Sequence, residues 1–258
     1  MSQVTEQPTT EQILAEVERR RANREQAALE AETSAVTSPT AQGVVRAADR
    51  LIFWLSKHWL AIANLGAFLY VGIPFLAPVL MFVGWEGPAQ AIYTLYRPLC
   101  HQLPFRSWYL FGSQFSYTIQ ELQQLVGPEA LVEHGYIGDP AMGFKVAFCQ
   151  RDVAIYGAIL VTGLLYGLVR RKVKPMPLWA YLLFGLVPIA LDGGVQFVSY
   201  LLPRLTSTIT MPLLESNPLR RTVTGILFGL STVWLAYPNA QEAFDEIRET
   251  LQKRFGWK

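Results

Sequence analysis

Charged residues are scarce over most of this sequence. Only 16% of its 258 residues are charged and 51% are hydrophobic, whereas soluble domains average about 25% charged. Most of the charge lies in the first 57 residues, the last 17 and a few short loops. The net charge is only +2, and no basic stripe with interleaved aromatics occurs, so we predict no nucleic-acid partner.

Cysteine is also rare, with only 2 residues in the chain. Two cysteines are too few for a disulfide-rich scaffold but enough for one bridge or half of a metal site. The first 57 residues contain no short apolar core followed by a small-residue cleavage site. We therefore expect no removable signal peptide.

Long uncharged stretches fill most of the remaining sequence. A helix needs about 20 predominantly apolar residues to cross a bilayer. Four stretches approach this length, and they predict an all-α, polytopic membrane bundle. The predicted spans are residues 59–85, 153–169, 176–202 and 222–238.

The distribution of lysine and arginine predicts the topology. Basic residues precede the first span, fill the turn between the second and third, and follow the fourth. We therefore predict a multi-pass cell-membrane protein with both termini in the cytoplasm and residues 86–152 outside it. Arg220 and Arg221 do not follow this rule. The stretch 95–108 is too polar to cross cheaply, and we expect it at the outer interface.

The two ends of the chain are polar. Residues 1–43 predict a charged helix and a flexible linker, and residues 44–57 an interfacial amphipathic helix. Residues 239–258 predict a cytoplasmic amphipathic helix. These helices are expected to lie on the bilayer or on the protein itself; the alternative is a membrane-protein partner or a second copy of the chain.

Short local signals predict further elements. The run Thr118-Ile-Gln-Glu121 is a capping box, which marks the beginning of a helix. The Gly- and Pro-containing stretch 127–143 predicts a loop. The pairs Gly163–Gly167 and Gly225–Gly229 have the spacing of close helix packing.

Four polar motifs fall at the same predicted end of the spans. They are "CHQ" with Arg106, "FCQRD" before the second span, Asp192 within the third, and "ESNPLRR" before the fourth. Asp192 lies about 22 Å along the third span from Pro177, which places it toward the outer leaflet. We therefore predict that these groups converge on one site. Besides the candidate metal ligands, its residues are Gln102, Arg106, Arg151, Asp192, Gln196, Glu215, Asn217, Arg220 and Arg221.

Thiolate, imidazole and carboxylate are the zinc ligand types, and four such groups make a tetrahedral set. The candidates for zinc or another divalent metal are Cys100, His101, Cys149 and Asp152. Cys149 and Asp152 are spaced i, i+3, so a helix would place them on one face. Two alternatives stay open at this point: a disulfide between the cysteines, or an ion pair of Asp152 with a nearby arginine.

Asp192 is a functional candidate because ionisable residues inside a span are rare and usually partnered. Asp192 and Gln196 share a helix face at i, i+4 spacing. We predict Arg220 or Arg221 as the partner of Asp192. A buried structural ion pair is the alternative to a catalytic or transport role.

The motifs "CHQLPFRSW", "FCQRDVAIYGA", "ALDGGVQ" and "ESNPLRRTVTGILFG", in this order, resemble the predicted membrane proteins called domain of unknown function 2085. The resemblance covers roughly residues 95–238 and implies a multi-pass prokaryotic membrane protein, but no particular activity. Many members carry Cys-x-x-Cys where this chain has Cys149-Gln-Arg-Asp152. That family pattern favours a metal over a disulfide.

Three functions fit these residues. The first is a membrane enzyme in which a metal activates water and Asp192 is the base. Arg106, Arg220 or Arg221 would then hold an anionic group such as a lipid phosphate. The second is a non-catalytic assembly or accessory subunit whose cysteines form a structural disulfide. The third is a small transporter or ion pathway that uses Asp192.

Overall fold

The protein is described by a computed structural model, and its fold is mainly helical. The chain divides into two compact units, one of Met1–Lys57 with Ile247–Lys258 and one of His58–Glu246. All predicted site residues belong to the second unit. The structure describes residues 19–21, 23–25, 39–131, 136–205 and 214–257.

The predicted N-terminal helix and linker fall mostly outside the described residues. Residues 19–21 and 23–25 are helical. The first long helix, α1, is Pro39–Phe82, so the end of the predicted linker is already helical. The middle of the loop before the fourth predicted span, residues 206–213, also lies outside the described part.

Within the part of the chain that the structure describes, three helical stretches are long and apolar enough to cross a membrane: Gln42–Phe82, Gln150–Val169 and Leu178–Ser199. They coincide with the first three predicted spans. The prediction of a helical, polytopic membrane protein is therefore confirmed.

Helix α1 combines two elements that the sequence predicts separately, the amphipathic helix 44–57 and the first span. No Gly or Pro lies between Val44 and Trp59, so nothing in the sequence ends the helix there. The 44 residues of α1 correspond to about 66 Å, twice the thickness of the hydrocarbon core. Only part of α1 therefore fits within the bilayer interior.

The third span contains a π-helical turn. Helix α5, residues 178–205, consists of Leu178–Ala180, the π turn Tyr181–Leu186 and Val187–Leu205. Gly185 lies in this turn, and a Cβ there would meet the Ser231 Cβ at 3.0 Å. Hydrophobic periodicity does not distinguish a π turn from an α turn, so the sequence does not predict it.

The fourth predicted span lies within helix α6, Pro218–Phe255. It is not among the three stretches that meet the length and hydropathy requirements within the described residues. Gly, Ser and Thr residues lower its hydropathy, and Arg221 precedes it directly. A fourth crossing therefore stays a prediction.

The glycines of α6 allow it to pack closely on α4, which is Gln150–Val169. A Cβ at Gly229 would lie 2.4 Å from the Ile155 carbonyl oxygen, and one at Gly225 would lie 2.9 Å from the Arg151 carbonyl oxygen. The helix packing predicted from this glycine pair is thus present. It brings the first turn of α4 against the first turns of α6.

The segment between α1 and α4 contains a small sheet, which the all-α prediction missed. Its helices are α2, Glu86–Tyr96, and α3, Ile119–Leu125. Its antiparallel strands lie in the order β1–β3–β2. The strands are β1, Ser107–Leu110; β2, Gly138–Asp139; and β3, Gly143–Cys149.

The sheet was missed because its strands are short. Strand β2 has 2 residues, too few for any period, and β3 is buried on both faces, so it shows no alternation. The predicted loop 127–143 therefore contains β2 and a 3-10 turn, Pro128–Leu131. The capping box at Thr118 and Glu121 forms as predicted, with both reciprocal hydrogen bonds.

An aromatic core joins this segment to the membrane helices. Tyr96 of α2 and Phe148 of β3 are buried and contact each other edge to face, with ring centroids 4.9 Å apart. Tyr70 of α1 packs against Phe148 at 5.2 Å and against Tyr156 of α4 at 4.5 Å. Strand β3 is thereby fixed at the point where α4 begins.

Candidate functional site

A tight turn after α2 presents the Cys-His-Gln motif. Cys100 is buried, whereas His101 is exposed. Gln102 has a positive φ of 48° and is 1% exposed, and its Nε2 donates to the Tyr93 carbonyl oxygen at 2.8 Å. Neighbouring residues of the motif therefore point in different directions, with the thiol and amide inward and the imidazole outward.

Lys145 of β3 is fully buried, and it lies outside the four polar motifs of the sequence. Its Nζ donates to the Gln102 carbonyl oxygen at 2.9 Å, which holds the turn in place. Burial lowers the pKa of Lys145 to about 7, because a low-dielectric interior disfavours the charged form. The signal was present in the sequence, since Lys145 is the only charge in the strand "GFKVAFC".

The two thiols and one carboxylate form the centre of the site. Cys149 is the N-cap of α4, and its Sγ donates to Asp152 Oδ2 at 3.1 Å. Cys100 Sγ accepts from the backbone N–H groups of Cys149, at 3.3 Å, and of Gln102, at 3.5 Å. The hydrogen bond with Cys100, together with burial, raises the pKa of the Cys149 thiol. Both cysteines are free thiols.

The thiol–carboxylate group, Cys100, Cys149 and Asp152, has the spacing of a metal site. One ligand atom from each residue lies within 4.8 Å of the others. In a tetrahedral zinc site, two ligand atoms at about 2.3 Å from the ion lie about 3.8 Å apart, so the widest pair would have to approach by up to about 1 Å. His101 is not part of this group, although it borders the same cavity.

Asp192 pairs with Arg151, so the prediction of Arg220 or Arg221 as its partner is wrong. Arg151 Nη2 lies 2.5 Å from Asp192 Oδ2. Gly193 makes room for the guanidinium, because a Cβ there would lie 3.1 Å from Arg151 Nη1. Arg151, which directly precedes the metal ligand candidate Asp152, thus connects the beginning of α4 to the third span.

Glu215 binds two other arginines. Its carboxylate lies 2.5 Å from Arg106 and 2.6 Å from Arg221. Arg221 is only 3% exposed, and burial lowers its pKa. Its Nη1 also donates to Gln150 Oε1 at 3.0 Å. Gln150 lies inside the "FCQRD" motif, but it was not among the predicted site residues.

Gln196 connects the two ion-pair groups. Its Nε2 donates to Glu215 at 3.2 Å, and its Oε1 accepts from Arg151 at 3.4 Å. Asn217 caps α6, with its Oδ1 accepting from the Arg220 backbone N–H at 2.8 Å. The side chain of Arg220 borders a different cavity.

The first cavity, about 220 Å³, lies over the thiol–carboxylate group. The cations Arg106, Arg151 and Arg221 border it, together with Gln196. Asp192 and Glu215 do not border this cavity; they form ion pairs with these arginines outside it. The further lining residues are Leu99, Cys100, His101, Gln102, Leu103, Cys149 and Asp152.

Comparisons with known proteins agree with this architecture. Residues 141–235 match the model of a family described as predicted membrane protein (DUF2085). An uncharacterized protein of Methanocaldococcus jannaschii is 25% identical over 191 residues, which cover 71% of this chain and 93% of that protein. No solved structure matches this chain. The match over residues 141–235 confirms the resemblance to the domain of unknown function 2085 membrane proteins that the motifs indicated.

Proposed function

We propose that this protein is a multi-pass cell-membrane protein with an extracytoplasmic divalent-metal site that binds an anionic ligand. The metal ligands are Cys100, Cys149 and Asp152. The observation that carries the proposal is the spacing of their ligand atoms, within 4.8 Å of one another, beneath a cavity bordered by three arginines.

The proposed topology has four crossings and both termini in the cytoplasm. The three apolar helical stretches support the first three crossings, and the apolar part of α6 supplies the fourth. The basic turn between the second and third spans would then face the cytoplasm. The thiol–carboxylate group, at the other end of the second span, would face outward.

The ligand chemistry favours zinc. Two thiolates and one carboxylate suit this borderline-soft ion, and three protein ligands leave one tetrahedral position for water or another ligand. His101 stays the candidate fourth ligand. A metal would also deprotonate the Cys149 thiol, whose raised pKa otherwise favours the neutral form.

The arginines support an anionic ligand beside the metal. Arg106, Arg151 and Arg221 border the cavity, where Asp152 is the one carboxylate among the described lining residues, and Asp192 and Glu215 pair with the arginines from outside it. Guanidinium groups bind phosphate and carboxylate oxygens in a bidentate manner. We propose that Asp192 positions Arg151 and does not contact the ligand in this cavity.

Metal analysis of the purified protein tests the proposal. The wild-type protein, purified without chelator, is expected to contain about one zinc or other divalent ion per chain, and both thiols are expected to react slowly until the metal is removed. Cys100→Ser, Cys149→Ser and Asp152→Asn should each lower the metal content. Glu86→Gln, an exposed carboxylate on α2, is the matched control and should retain it.

A metal-free protein with two thiols that react only after reduction would overturn the proposal in favour of the disulfide alternative. Equal metal loss in Glu86→Gln and Asp152→Asn would show that the metal binds elsewhere. Unfolding of the variants is separated from metal loss by monitoring their helical circular dichroism in the same detergent.

A further inference from the structure

We propose that a second cavity, between α5 and α6, binds an anionic phospholipid that enters sideways from the bilayer. The phosphate would lie beside Arg220 and the first part of an acyl chain along Leu191 and Val195. This inference rests on the proposed function for its membrane setting and for the anionic class of ligand. It adds an anionic lipid that enters from the bilayer and binds next to the proposed metal site.

The second cavity has the size and composition of a site for an amphipathic ligand. Its volume is about 380 Å³, within the usual range of ligand pockets, roughly 300–1,000 Å³. Its lining combines apolar residues, called the apolar wall here, with polar ones. The apolar residues are Pro188, Leu191, Val195 and Leu214, and the polar ones are Asp192, Gln196, Glu215, Ser216, Arg220 and Thr224.

The apolar wall lies at membrane depth and faces outward from the protein. Leu191 and Val195 are 64% and 50% exposed, yet they lie within the apolar stretch Leu178–Ser199. Exposed apolar side chains inside a span contact lipid. The cavity they border therefore opens toward the acyl chains of the bilayer.

The apolar lining residues of α5 extend from near one end of the span toward its interior, and the polar Asp192 lies at the depth of Leu191. Counted from Ser199, the end of the apolar stretch, Val195 lies about 6 Å, Leu191 about 12 Å and Pro188 about 16 Å along the helix. Ser216 precedes α6 and Arg220 lies in its first turn, and the nearby Leu214 N–H donates to Ser199 Oγ at 3.3 Å. A lipid in its normal orientation matches this order, with its head at the polar end and its chains deeper.

The charges at the polar end favour an anion. Asp192 and Glu215 border the second cavity, but both are neutralised by ion pairs. Arg220 adds a cation, and α6 begins at Pro218 beside it, so the positive end of a 38-residue helix points to the same place. Among the described residues that border the two cavities, four arginines outnumber the three carboxylates, Asp152, Asp192 and Glu215, by one charge.

Gln196 places the second cavity next to the first. Its side chain borders both cavities, and the Arg151–Asp192 pair separates them, with Arg151 on one side and Asp192 on the other. A lipid head bound near Arg220 would therefore be one layer of side chains away from the thiol–carboxylate group. The lipid phosphate would thus lie beside the first cavity and not inside it.

Photocrosslinking with lipids tests this inference. The full-length protein is reconstituted in nanodiscs containing phosphatidylglycerol or phosphatidylcholine with a photoreactive acyl chain, and crosslinked peptides are quantified by mass spectrometry. We expect crosslinks at Leu191 or Val195 with the anionic lipid and about tenfold fewer with the zwitterionic one. Inorganic phosphate at millimolar concentration should not compete, because it lacks the chain.

Two variants and one control make the test specific. Val195→Trp fills the apolar wall, and Arg220→Gln removes the cation; each should lower the anionic-lipid crosslink about tenfold. Val198→Trp is the matched control, since Val198 lies on the same helix with similar exposure, 43% against 50%, and does not border the cavity. It should leave the crosslink unchanged.

The inference is overturned if Val195→Trp and Val198→Trp change the anionic-lipid crosslink to the same extent. It is also overturned if the two lipids crosslink equally, or if inorganic phosphate protects the site from crosslinking. That last outcome would identify a soluble anion instead of a lipid. Metal content is measured on the same preparations. A metal-free protein that still shows the selective crosslink would defeat the proposed metal site and leave the lipid site standing.

Discussion

The membrane helices are held together by different chemistry at their two ends. Near the beginning of α4, Arg151, Asp192, Glu215 and Arg221 form ion pairs. Near its end, about 22 Å away at 1.5 Å per residue, aromatic rings take their place. Trp59 stacks on Phe244 at 5.5 Å and meets Tyr237 edge to face at 5.4 Å, and the tilted ring of Tyr166 lies 6.5 Å away.

The aromatic end is explained by packing alone. Rings at these separations stabilise helix contacts without a charge to desolvate. The ion-pair end is different, because burying a guanidinium and a carboxylate costs several kcal/mol per ion and good pairing often only compensates this. Apolar side chains of similar volume could therefore stabilise this end equally well, and the proposed binding of an anionic ligand would account for the ion pairs.

The largest expected effect comes from Glu215→Ala. This change removes the carboxylate from two arginines and leaves Arg221, 3% exposed, without its anion. Removing one partner of a buried pair costs about 3–5 kcal/mol. Chemical unfolding in detergent should show this loss, and Glu86→Ala, at an exposed site, should show almost none. A loss below about 1 kcal/mol would mean that the ion-pair end is solvated.

The next effect tests the aromatic end. Trp59→Ala should reduce the free energy of unfolding by about 3 kcal/mol, because it leaves a cavity among three rings. Trp59→Phe should cost much less, since Trp59 Nε1 has no hydrogen-bond partner within the described residues. Both variants should keep the metal content and the lipid crosslink. Loss of either binding signal would show that the two ends are coupled.

The smallest effect is a pH dependence that Lys145 should introduce. In the unfolded chain its pKa is about 10.5, but in the folded protein burial lowers the pKa to about 7. Between these values the unfolded state binds more protons, so the free energy of unfolding should rise with pH by up to about 1.4 kcal/mol per unit.

Lys145→Met should remove this dependence. Comparing the unfolding of the wild-type protein and the variant between about pH 7 and 8.5 isolates the lysine, because the other titrating groups, including the Cys149 thiol, are present in both proteins. Parallel curves for the two proteins would show that Lys145 keeps its ordinary pKa when folded.

The sequence predicted local features better than contacts between residues that are distant in the chain. The capping box at Thr118, the glycine packing of α6 and the three apolar helices depend on residues close in sequence, and all are present. The sheet was missed because β3 is stabilised by strands more than 30 residues and about 5 residues away in the chain, which no local period records. Lys145 was missed because its burial depends on that same sheet.

The sequence by itself determined that this protein belongs in a membrane and that its polar motifs would meet at one end of its helices, because hydrophobic length and motif position are properties of the linear chain. The tertiary structure decided which charges pair. Arg151 reaches Asp192 because Gly193 leaves space for it and α4 is turned toward α5, whereas Arg221 points to Glu215. Helix rotation and a missing Cβ set these distances, and neither can be read from the order of the residues.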